Sequence, residues 1–186
     1  MSVHSSAVAT LTDWQAPDAT QDALRHAVLA FLSARPDGCE RACVPGHVTA
    51  STLVLSGDGE ALLTLHPRFS RWLQLGGHCE DGDSDIAAAA LREATEESGI
   101  AGLRIEPELA AIHVHPVTCS LGVPTRHLDL QFIAHAPAGA GYVVSDESVD
   151  LRWFPLDGLP DDADAGLRQL VSVARRRWSS GSRSRG

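Results

Sequence analysis

Four charged side chains, three of them glutamates, fall within six consecutive residues of the sequence. The set is Arg92, Glu93, Glu96 and Glu97. If the segment is helical, all four lie within an arc of roughly 140°, because successive residues turn by about 100°. Glu93 and Glu97 are then like charges four positions apart near a helix C-terminus, and both features disfavour them unless a cation is bound. Their oxygen ligands predict a hard cation, Mg²⁺ with Mn²⁺ as a substitute.

Two adjacent glycines, Gly76 and Gly77, precede this segment. Glycine lets the backbone approach another group closely, so the Gly76 carbonyl can enter the coordination shell of a metal. For the same reason the backbone at Gly77 can lie against a substrate phosphate. Simpler interpretations also exist, because a run of charges is commonly a solvated helix face and a Gly-Gly pair is commonly a turn.

Together the two stretches resemble the Nudix box. Its pattern is Gly, five residues, Glu, seven residues, then Arg-Glu-aliphatic-any-Glu-Glu-any-Gly-aliphatic. The second half is matched by Arg92-Glu93-Ala94, Glu96-Glu97, Gly99 and Ile100. The first half departs from it, because fourteen residues separate Gly77 from Arg92 where the family has thirteen. Asp83 or Ser84 stands in for the family's glutamate, and one inserted residue at 83–85 restores the register.

The resemblance implies a Mg²⁺-dependent hydrolase that cleaves the pyrophosphate linkage of a nucleoside diphosphate joined to another moiety. It implies that a Gly76 carbonyl and the acids of the helix hold the divalent ions, and that Arg92 orients these acids by ion pairing. The implied metal-binding acids are Glu93, Glu96 and Glu97. The fold it implies is of the α/β (α+β) class, an α/β/α sandwich with a mixed β-sheet flanked by helices.

Members of this family commonly take the general base from another loop, and Glu147 is the first candidate in this sequence. It precedes a short predicted strand at 151–154. Asp129 is the second candidate, because it alternates with apolar residues in a predicted strand and could face the site. Three arginines, Arg68, Arg71 and Arg126, are candidate phosphate contacts because the guanidinium group matches phosphate oxygens.

Two other functions remain open. The first is a Nudix-fold nucleotide-binding or regulatory module without catalysis, since a fold alone does not establish an activity. The retained acids disfavour it. The second is a prenyl-diphosphate isomerase, which would require a cysteine and a glutamate around the substrate. Cys79 is the only cysteine near the glycines, and the sequence gives it no clear partner.

The surrounding elements divide the chain into a helical extension at 1–45, the hydrolase domain at 46–178 and a disordered tail at 179–186. Helical spacing predicts helices at 18–34, 86–98 and 161–178. Strands are predicted at 47–55, 60–66, 71–75, 103–117, 127–135 and 151–154. Gly99 is expected to cap the helix at 86–98, and residues 56–59 to form a hairpin turn.

Composition limits the partners. The net charge is −9, and all 15 basic residues are arginine, which argues against general binding of duplex nucleic acid. The expected partner is a small nucleotide or nucleotide sugar, and homodimerisation is left open. No run of apolar residues predicts a membrane span or signal peptide, so we expect a cytoplasmic protein. The four scattered cysteines are interpreted as ordinary thiols without a structural zinc.

Overall fold

The structure, a computed structural model, describes residues 1–119, 122–144 and 148–183, with side chains as far as 179. This part of the chain contains four helices and eight strands. The helices are α1 (Val3–Asp13), α2 (Ala19–Ala34), α3 (Ile86–Ser98) and α4 (Ala165–Arg183). The strands are β1 (His47–Leu55), β2 (Glu60–His66), β3 (Arg71–Leu73), β4 (Leu75–His78), β5 (Arg104–Ile105), β6 (Ala111–Thr118), β7 (Pro124–His135) and β8 (Asp150–Pro155).

One mixed sheet contains all eight strands. Its main path runs β3-β2-β1-β7-β5, while β4 pairs with β1, β6 with β7 and β8 with β2. The long pairing between β1 and β7 is parallel, and the other pairings are antiparallel. Helices flank this curled sheet, which confirms the predicted fold class. The hairpin between β1 and β2 is also confirmed, because the Ser56 amide donates to the Glu60 carbonyl.

The side chains of β1 point alternately into two cores on opposite faces of the sheet. Even-numbered residues such as Val48 and Ala50 pack in the cluster that includes α1, α2 and α3. Odd-numbered Leu53 and Leu55 pack against α4. Thr49 and Ser51 belong to the same alternating face but lie beyond the apolar cover of α4, and they line a cavity. Successive side chains of a strand point to opposite faces, so one short strand supplies both cores and the cavity wall.

Helix α3 has the predicted bounds and end signals. Its first half is almost entirely alanine, a strong helix former with little bulk, so the helix can lie close to β1 and β4. The Asp85 side chain accepts from the Ala88 amide and caps the N-terminus. Gly99 has φ 65°, the left-handed conformation expected of a glycine C-cap. The helix is therefore anchored at both ends beside β4.

The N-terminal region contains one helix more than the sequence predicted. Helix α2 begins after Asp18, whose side chain caps it, and matches the expected helix at 18–34. Helix α1 was not predicted, because its serines, threonines and valines are poor helix formers. Burial compensates for this, since Ala7 and Leu11 are fully enclosed in the core shared with α3. Ser6 also accepts the Ile86 amide at the start of α3.

Three other boundaries differ from the predictions. The glycine pair does not follow a strand but lies within β4, which pairs with β1. The strand expected at 103–117 is divided into β5 and β6, with Pro107, which lacks an amide hydrogen, between them. Helix α4 begins at Ala165, after Asp164 accepts the Leu167 amide, and extends to Arg183. It occupies the first five residues of the expected tail, and 184–186 lie outside the described residues.

In the part of the chain that the structure describes, the helices are too short or too polar to cross a membrane.

Candidate active site

A cavity of about 440 Å³ opens where β1, β4 and β7 meet α3. Eight of the predicted site residues line it: Arg68, Gly76, Gly77, Arg92, Glu93, Glu96, Glu97 and Asp129. Arg71 and Arg126 are exposed and do not line this cavity. Arg126 precedes the cavity-lining His127 on β7, so strand alternation directs it to the opposite face. Their positions do not support the phosphate contacts expected of them.

The Glu97 carboxylate is held against the backbone of β4. Its side chain belongs to a residue only 7% exposed, and its Oε2 accepts the Gly76 amide at 2.9 Å. Gly76 has φ 150°, and a Cβ at this position would collide with Ser51 on β1. Only glycine fits this close approach of β4 to β1. The first glycine of the pair therefore lets the strand meet both β1 and the buried carboxylate.

The second glycine makes room for Glu93. A Cβ on Gly77 would lie 2.6 Å from the Cδ and both carboxylate oxygens of Glu93. The Glu93 side chain is 13% exposed, whereas that of Glu96 is 60% exposed. Glu93 and Glu97 thus lie against the glycine strand, and Glu96 lies at the outer edge of the cavity.

Arg92 ties these acids to the loop that precedes α3. Its guanidinium donates to both carboxylate oxygens of Asp83, at 2.9 and 3.2 Å, and to the His78 carbonyl at 2.9 Å. It also donates to Glu93 at 3.1 Å and to Glu96 at 3.0 Å. The hydrogen bond with Asp83, followed by the charge of Glu93, raises the pKa of Arg92. Arg92 is therefore a positioning residue with a permanent charge.

Asp83 occupies the acidic position in the first half of the box. Burial opposes its ionisation, but hydrogen bonds from Arg92 and from the Glu80 amide outweigh this and lower its pKa. Its side chain is only 4% exposed. Ser84 follows Asp83 and leads into Asp85, which caps α3. Through its pairing with Arg92, Asp83 connects the loop before α3 to the acidic face of the helix.

The acidic set has the chemistry of a divalent-cation site. Two largely buried carboxylates, Glu93 and Glu97, lie one helical turn apart against the same strand. Like charges at this spacing repel each other, and burial strengthens the repulsion. Carboxylate and carbonyl oxygens are the ligands that Mg²⁺ and Mn²⁺ prefer. The side chains present therefore fit the predicted cation.

Of the two candidates for the general base, only Asp129 lies among the described residues. Glu147 lies outside the described residues. Asp129, on β7, is 3% exposed and lines the cavity floor. It accepts hydrogen bonds from four side chains: Thr49 at 3.0 Å, Ser51 at 2.7 Å, Gln74 at 3.3 Å and Gln131 at 3.0 Å. These donors satisfy the Asp129 carboxylate and hold it in place.

Sequence reasoning assigned no site role to the histidines beside this cavity. His78, His115 and His127 line it, and the His47 ring lies 5.0 Å from that of His127. Burial, followed by neighbouring positive charges, lowers the pKa of His78 to about 4 and that of His127 to about 3. Burial also lowers the pKa of His47 and His115. These imidazoles are therefore neutral near pH 7.

The cavity wall also carries groups suited to an anionic substrate. Arg68 and Arg41 line it, and Arg68 donates to the Thr118 carbonyl at 3.2 Å. Phe69 lies beside Arg68, is 39% exposed and contacts the ring of His66 at 4.6 Å between centroids. Arg41 was not predicted, because it follows α2 in a stretch without a recognisable motif. Trp72, in contrast, packs against Phe154 away from the cavity.

Replacing Gly77 with alanine should separate activity from stability. The new Cβ would meet the flexible end of Glu93, so the carboxylate should move while the fold remains. We expect turnover to fall by about 10²-fold, as for an ångström-scale misplacement. The free energy of unfolding should change by no more than about 1 kcal/mol. Gly82→Ala is the matched control, because no atom lies within 4 Å of its added Cβ. Equal activity in the two variants would contradict this role for Gly77.

The family is shown by comparison with known proteins. A family model described as NUDIX domain matches residues 45–173. A comparison with curated protein sequences finds no match. An Ap4A hydrolase from C. elegans superposes with a TM-score of 0.57 at 21% identity, over 72% of this chain and 98% of its own. A MutT Nudix hydrolase from Burkholderia pseudomallei superposes with a TM-score of 0.52 at 26% identity, over 68% of this chain and 96% of its own.

A third similar structure, a UDP-X diphosphatase, covers more of the chain. It matches 95% of this chain and 96% of its own length, with a TM-score of 0.54 and 16% identity. Because the match to the family model spans well over half of the sequence and includes the acidic helix, the chain belongs to the Nudix hydrolase family. It is accordingly a pyrophosphohydrolase, an enzyme that hydrolyses acid anhydrides.

Proposed function

We propose that this enzyme uses Mg²⁺, or Mn²⁺ in its place, to hydrolyse the pyrophosphate linkage of a nucleoside diphosphate joined to another moiety. The observation that carries the proposal is the pair of largely buried carboxylates, Glu93 and Glu97, packed against the Gly76-Gly77 strand. A divalent cation between the two carboxylates would offset their mutual repulsion. Arg41 and Arg68 on the cavity wall supply the positive charge that a diphosphate requires.

Each of these residues has a distinct role in the proposal. Glu93, Glu96, Glu97 and the Gly76 carbonyl hold the cation. When bound, Mg²⁺ would supply charge neutralisation at the diphosphate and activation of the attacking water. Arg92 fixes the acids in place through its contacts with Asp83, and Glu147 accepts the proton of the water. Arg68 and the Gly77 backbone bind the phosphates, while the exposed ring of Phe69 offers a surface for the nucleoside base.

Two similar structures bear on the substrate class. One carries the name Ap4A hydrolase and another UDP-X diphosphatase. The substrate in each of these names is a phosphoric anhydride that carries a nucleoside. A nucleotide or nucleotide sugar is therefore the substrate class we propose, with hydrolysis between two phosphates.

The prenyl-diphosphate isomerase alternative finds less support. Cys79, its candidate cysteine, does not line the cavity, and its Sγ lies 3.8 Å from the Val48 carbonyl. A hydrogen bond with Cys39, followed by burial, raises the pKa of the Cys79 thiol. A partly buried thiol that remains protonated is a poor acid-base or nucleophilic group.

A substrate panel tests the proposed function. ADP-ribose, a dinucleoside polyphosphate, a UDP-sugar, coenzyme A and an oxidised nucleoside triphosphate would be incubated with the enzyme and Mg²⁺. Coupled phosphate release should show turnover of at least one compound by the wild type and almost none by Glu97→Gln. If no compound in the panel is turned over, the proposed substrate class is wrong.

Magnesium should also stabilise the fold. A cation bound by Glu93 and Glu97 relieves their repulsion and binds only the native state, so it raises the free energy of unfolding. At a concentration of 100 times the dissociation constant, the gain is about 2.7 kcal/mol, which corresponds to a shift of about 5–10 °C for a chain of this size. Thermal unfolding with Mg²⁺ would be compared with sodium chloride at equal ionic strength. An equal shift in both salts would mean that the stabilisation comes from charge screening and not from a bound cation.

A further inference from the structure

Four side chains with nitrogen and sulfur donors form a compact group beside the acidic set. The group consists of His47, His78, Cys119 and His127. One donor atom from each lies within 4.8 Å of the corresponding atoms of the other three. The three imidazole rings are mutual neighbours, with centroids 5.0 to 5.1 Å apart. We refer to these four residues as the histidine–cysteine cluster.

The sheet holds this cluster in place. His47 begins β1 and is directly opposite His127 in the parallel pairing of β1 with β7. His78 ends β4 and is paired with Thr49 on β1, two residues after His47. Cys119 directly follows β6, the strand that pairs with the other side of β7. Four strands, neighbours in the sheet, thus bring the four donors together on a rigid frame, which is the arrangement that a preorganised metal site requires.

Two ring nitrogens of the cluster have no hydrogen-bond partner among the described residues. His47 is 1% exposed, and its Nδ1 lies 3.3 Å from the Cys43 carbonyl, which can only accept. The proton of the neutral ring is therefore on Nδ1, and Nε2 carries a lone pair. That Nε2 is buried without a hydrogen-bond partner, as is Nε2 of His127. Buried polar atoms nearly always have a hydrogen-bond partner or another ligand, so we expect each of these two nitrogens to bind one.

The remaining two donors also suit a metal. Sγ of Cys119 lies 3.4 Å from Nε2 of His78. Burial already favours the neutral imidazole, the form that coordinates a metal. The contact between Nδ1 of His47 and the Cys43 carbonyl is the kind of second interaction that orients metal-bound histidines. Donor set and orientation therefore agree.

We propose that the histidine–cysteine cluster binds one zinc ion through three imidazole nitrogens and one thiolate. Three nitrogens and one sulfur are the donors of a closed tetrahedral zinc site, whereas Mg²⁺ prefers oxygen. Ligand atoms around tetrahedral zinc are about 3.3–3.6 Å apart, so the cluster contracts by about an ångström when zinc binds. Binding replaces the proton of the Cys119 thiol with a zinc–sulfur bond and releases that proton to solvent. The expectation that the cysteines hold no zinc is revised for Cys119.

This zinc site borders the active site without being part of it. His78, Cys119 and His127 line the same cavity as the glutamates, and His78 directly follows Gly77. A zinc with four protein ligands has no open position for substrate, which makes it structural. It would join the ends of β4, β1, β7 and β6, and so fix the wall that faces Glu93 and Glu97. The proposal does not depend on the hydrolase activity.

Metal analysis tests the stoichiometry. Protein loaded with Zn²⁺ and dialysed to remove loosely bound metal should retain one zinc per chain. Cys119→Ser and His127→Asn should each lower the retained zinc at least tenfold, with circular dichroism as the check on folding. Cys79→Ser and His113→Asn are matched controls that should retain it, and so should Glu97→Gln, which removes a ligand of the proposed Mg²⁺ site. Absence of retained zinc in the wild type would overturn the proposal.

A second measurement does not depend on a folded variant. The wild-type protein loaded with Co²⁺ should show the visible bands of a tetrahedral site and a thiolate-to-cobalt charge-transfer band. Zinc should protect Cys119 from iodoacetamide at least tenfold, and a chelator should reverse this, as read by peptide mass spectrometry. Alkylation of Cys119 at the same measurable rate with and without Zn²⁺, or a cobalt spectrum without the charge-transfer band, would contradict the site.

Discussion

Glu97→Gln should lower turnover by about 10²- to 10⁴-fold while the protein stays folded. Glutamine has the same shape, and its carbonyl oxygen can still accept the Gly76 amide, which Glu97 accepts at 2.9 Å. The substitution therefore removes the negative charge and little else. Loss of a carboxylate ligand weakens the binding of a divalent cation, and such a cation contributes several kcal/mol to transition-state stabilisation. Each 1.36 kcal/mol lost lowers the rate tenfold. Steady-state kinetics at saturating Mg²⁺ measures the effect.

The control for this prediction is another glutamate on the same chain. Glu108 has a side chain that is 66% exposed and does not line the cavity. Glu108→Gln should therefore keep the turnover of the wild type. Calorimetry should show Mn²⁺ binding lost in Glu97→Gln and retained in Glu108→Gln. Unchanged Mn²⁺ affinity in both Glu97→Gln and Glu96→Gln would show that the acidic face of α3 is not the metal site.

Glu147→Gln should reduce turnover by about 10²- to 10⁴-fold with a modest change in KM. Water attack on phosphorus needs a proton acceptor, and carboxylates that already coordinate Mg²⁺ are weaker bases. Asp129 already accepts hydrogen bonds from four side chains, and we therefore assign the role to Glu147. The matched control is Asp146→Asn, which removes the charge of the acid next to it in sequence and should have little effect.

Asp129→Asn distinguishes the two candidate bases. An amide nitrogen cannot accept hydrogen bonds from Ser51 or Gln131, so this variant should unfold at a lower temperature. Its turnover at low temperature should exceed that of Glu147→Gln. Near-normal turnover in Glu147→Gln, together with a large loss in a stable Asp129→Asn, would transfer the role of base to Asp129.

The parts predicted correctly are those whose signals are local in sequence. Helix α3 was predicted with its bounds and its Gly99 cap, because helix formers, the N-cap and the C-terminal glycine lie within one segment. The bounds of β1 and β2 followed from alternation and the turn between them. The acidic face of α3 followed from helical geometry alone. The match of the second half of the box explains why the family could be inferred.

The parts that were missed depend on pairing between distant segments. His47 and His127 are 80 positions apart, and only the parallel register of β1 with β7 brings them together. Their positions near strand starts were visible, but the pairing was not. In the same way, the burial of Leu11 against α3 stabilises helix α1 more than its own residues do. Tertiary contacts decided both outcomes.

Product analysis with and without Mg²⁺ tests the central claim most directly. Protein dialysed against a buffer free of divalent cations would be incubated with a nucleotide sugar or dinucleoside polyphosphate that the panel identifies, and the products separated by chromatography. We predict almost no cleavage without Mg²⁺. After Mg²⁺ is restored, we predict a nucleotide and a second phosphorylated product, as cleavage between two phosphates requires, with the reaction absent in Glu97→Gln. Cleavage at an unchanged rate without divalent cations, or in Glu97→Gln, would contradict the account.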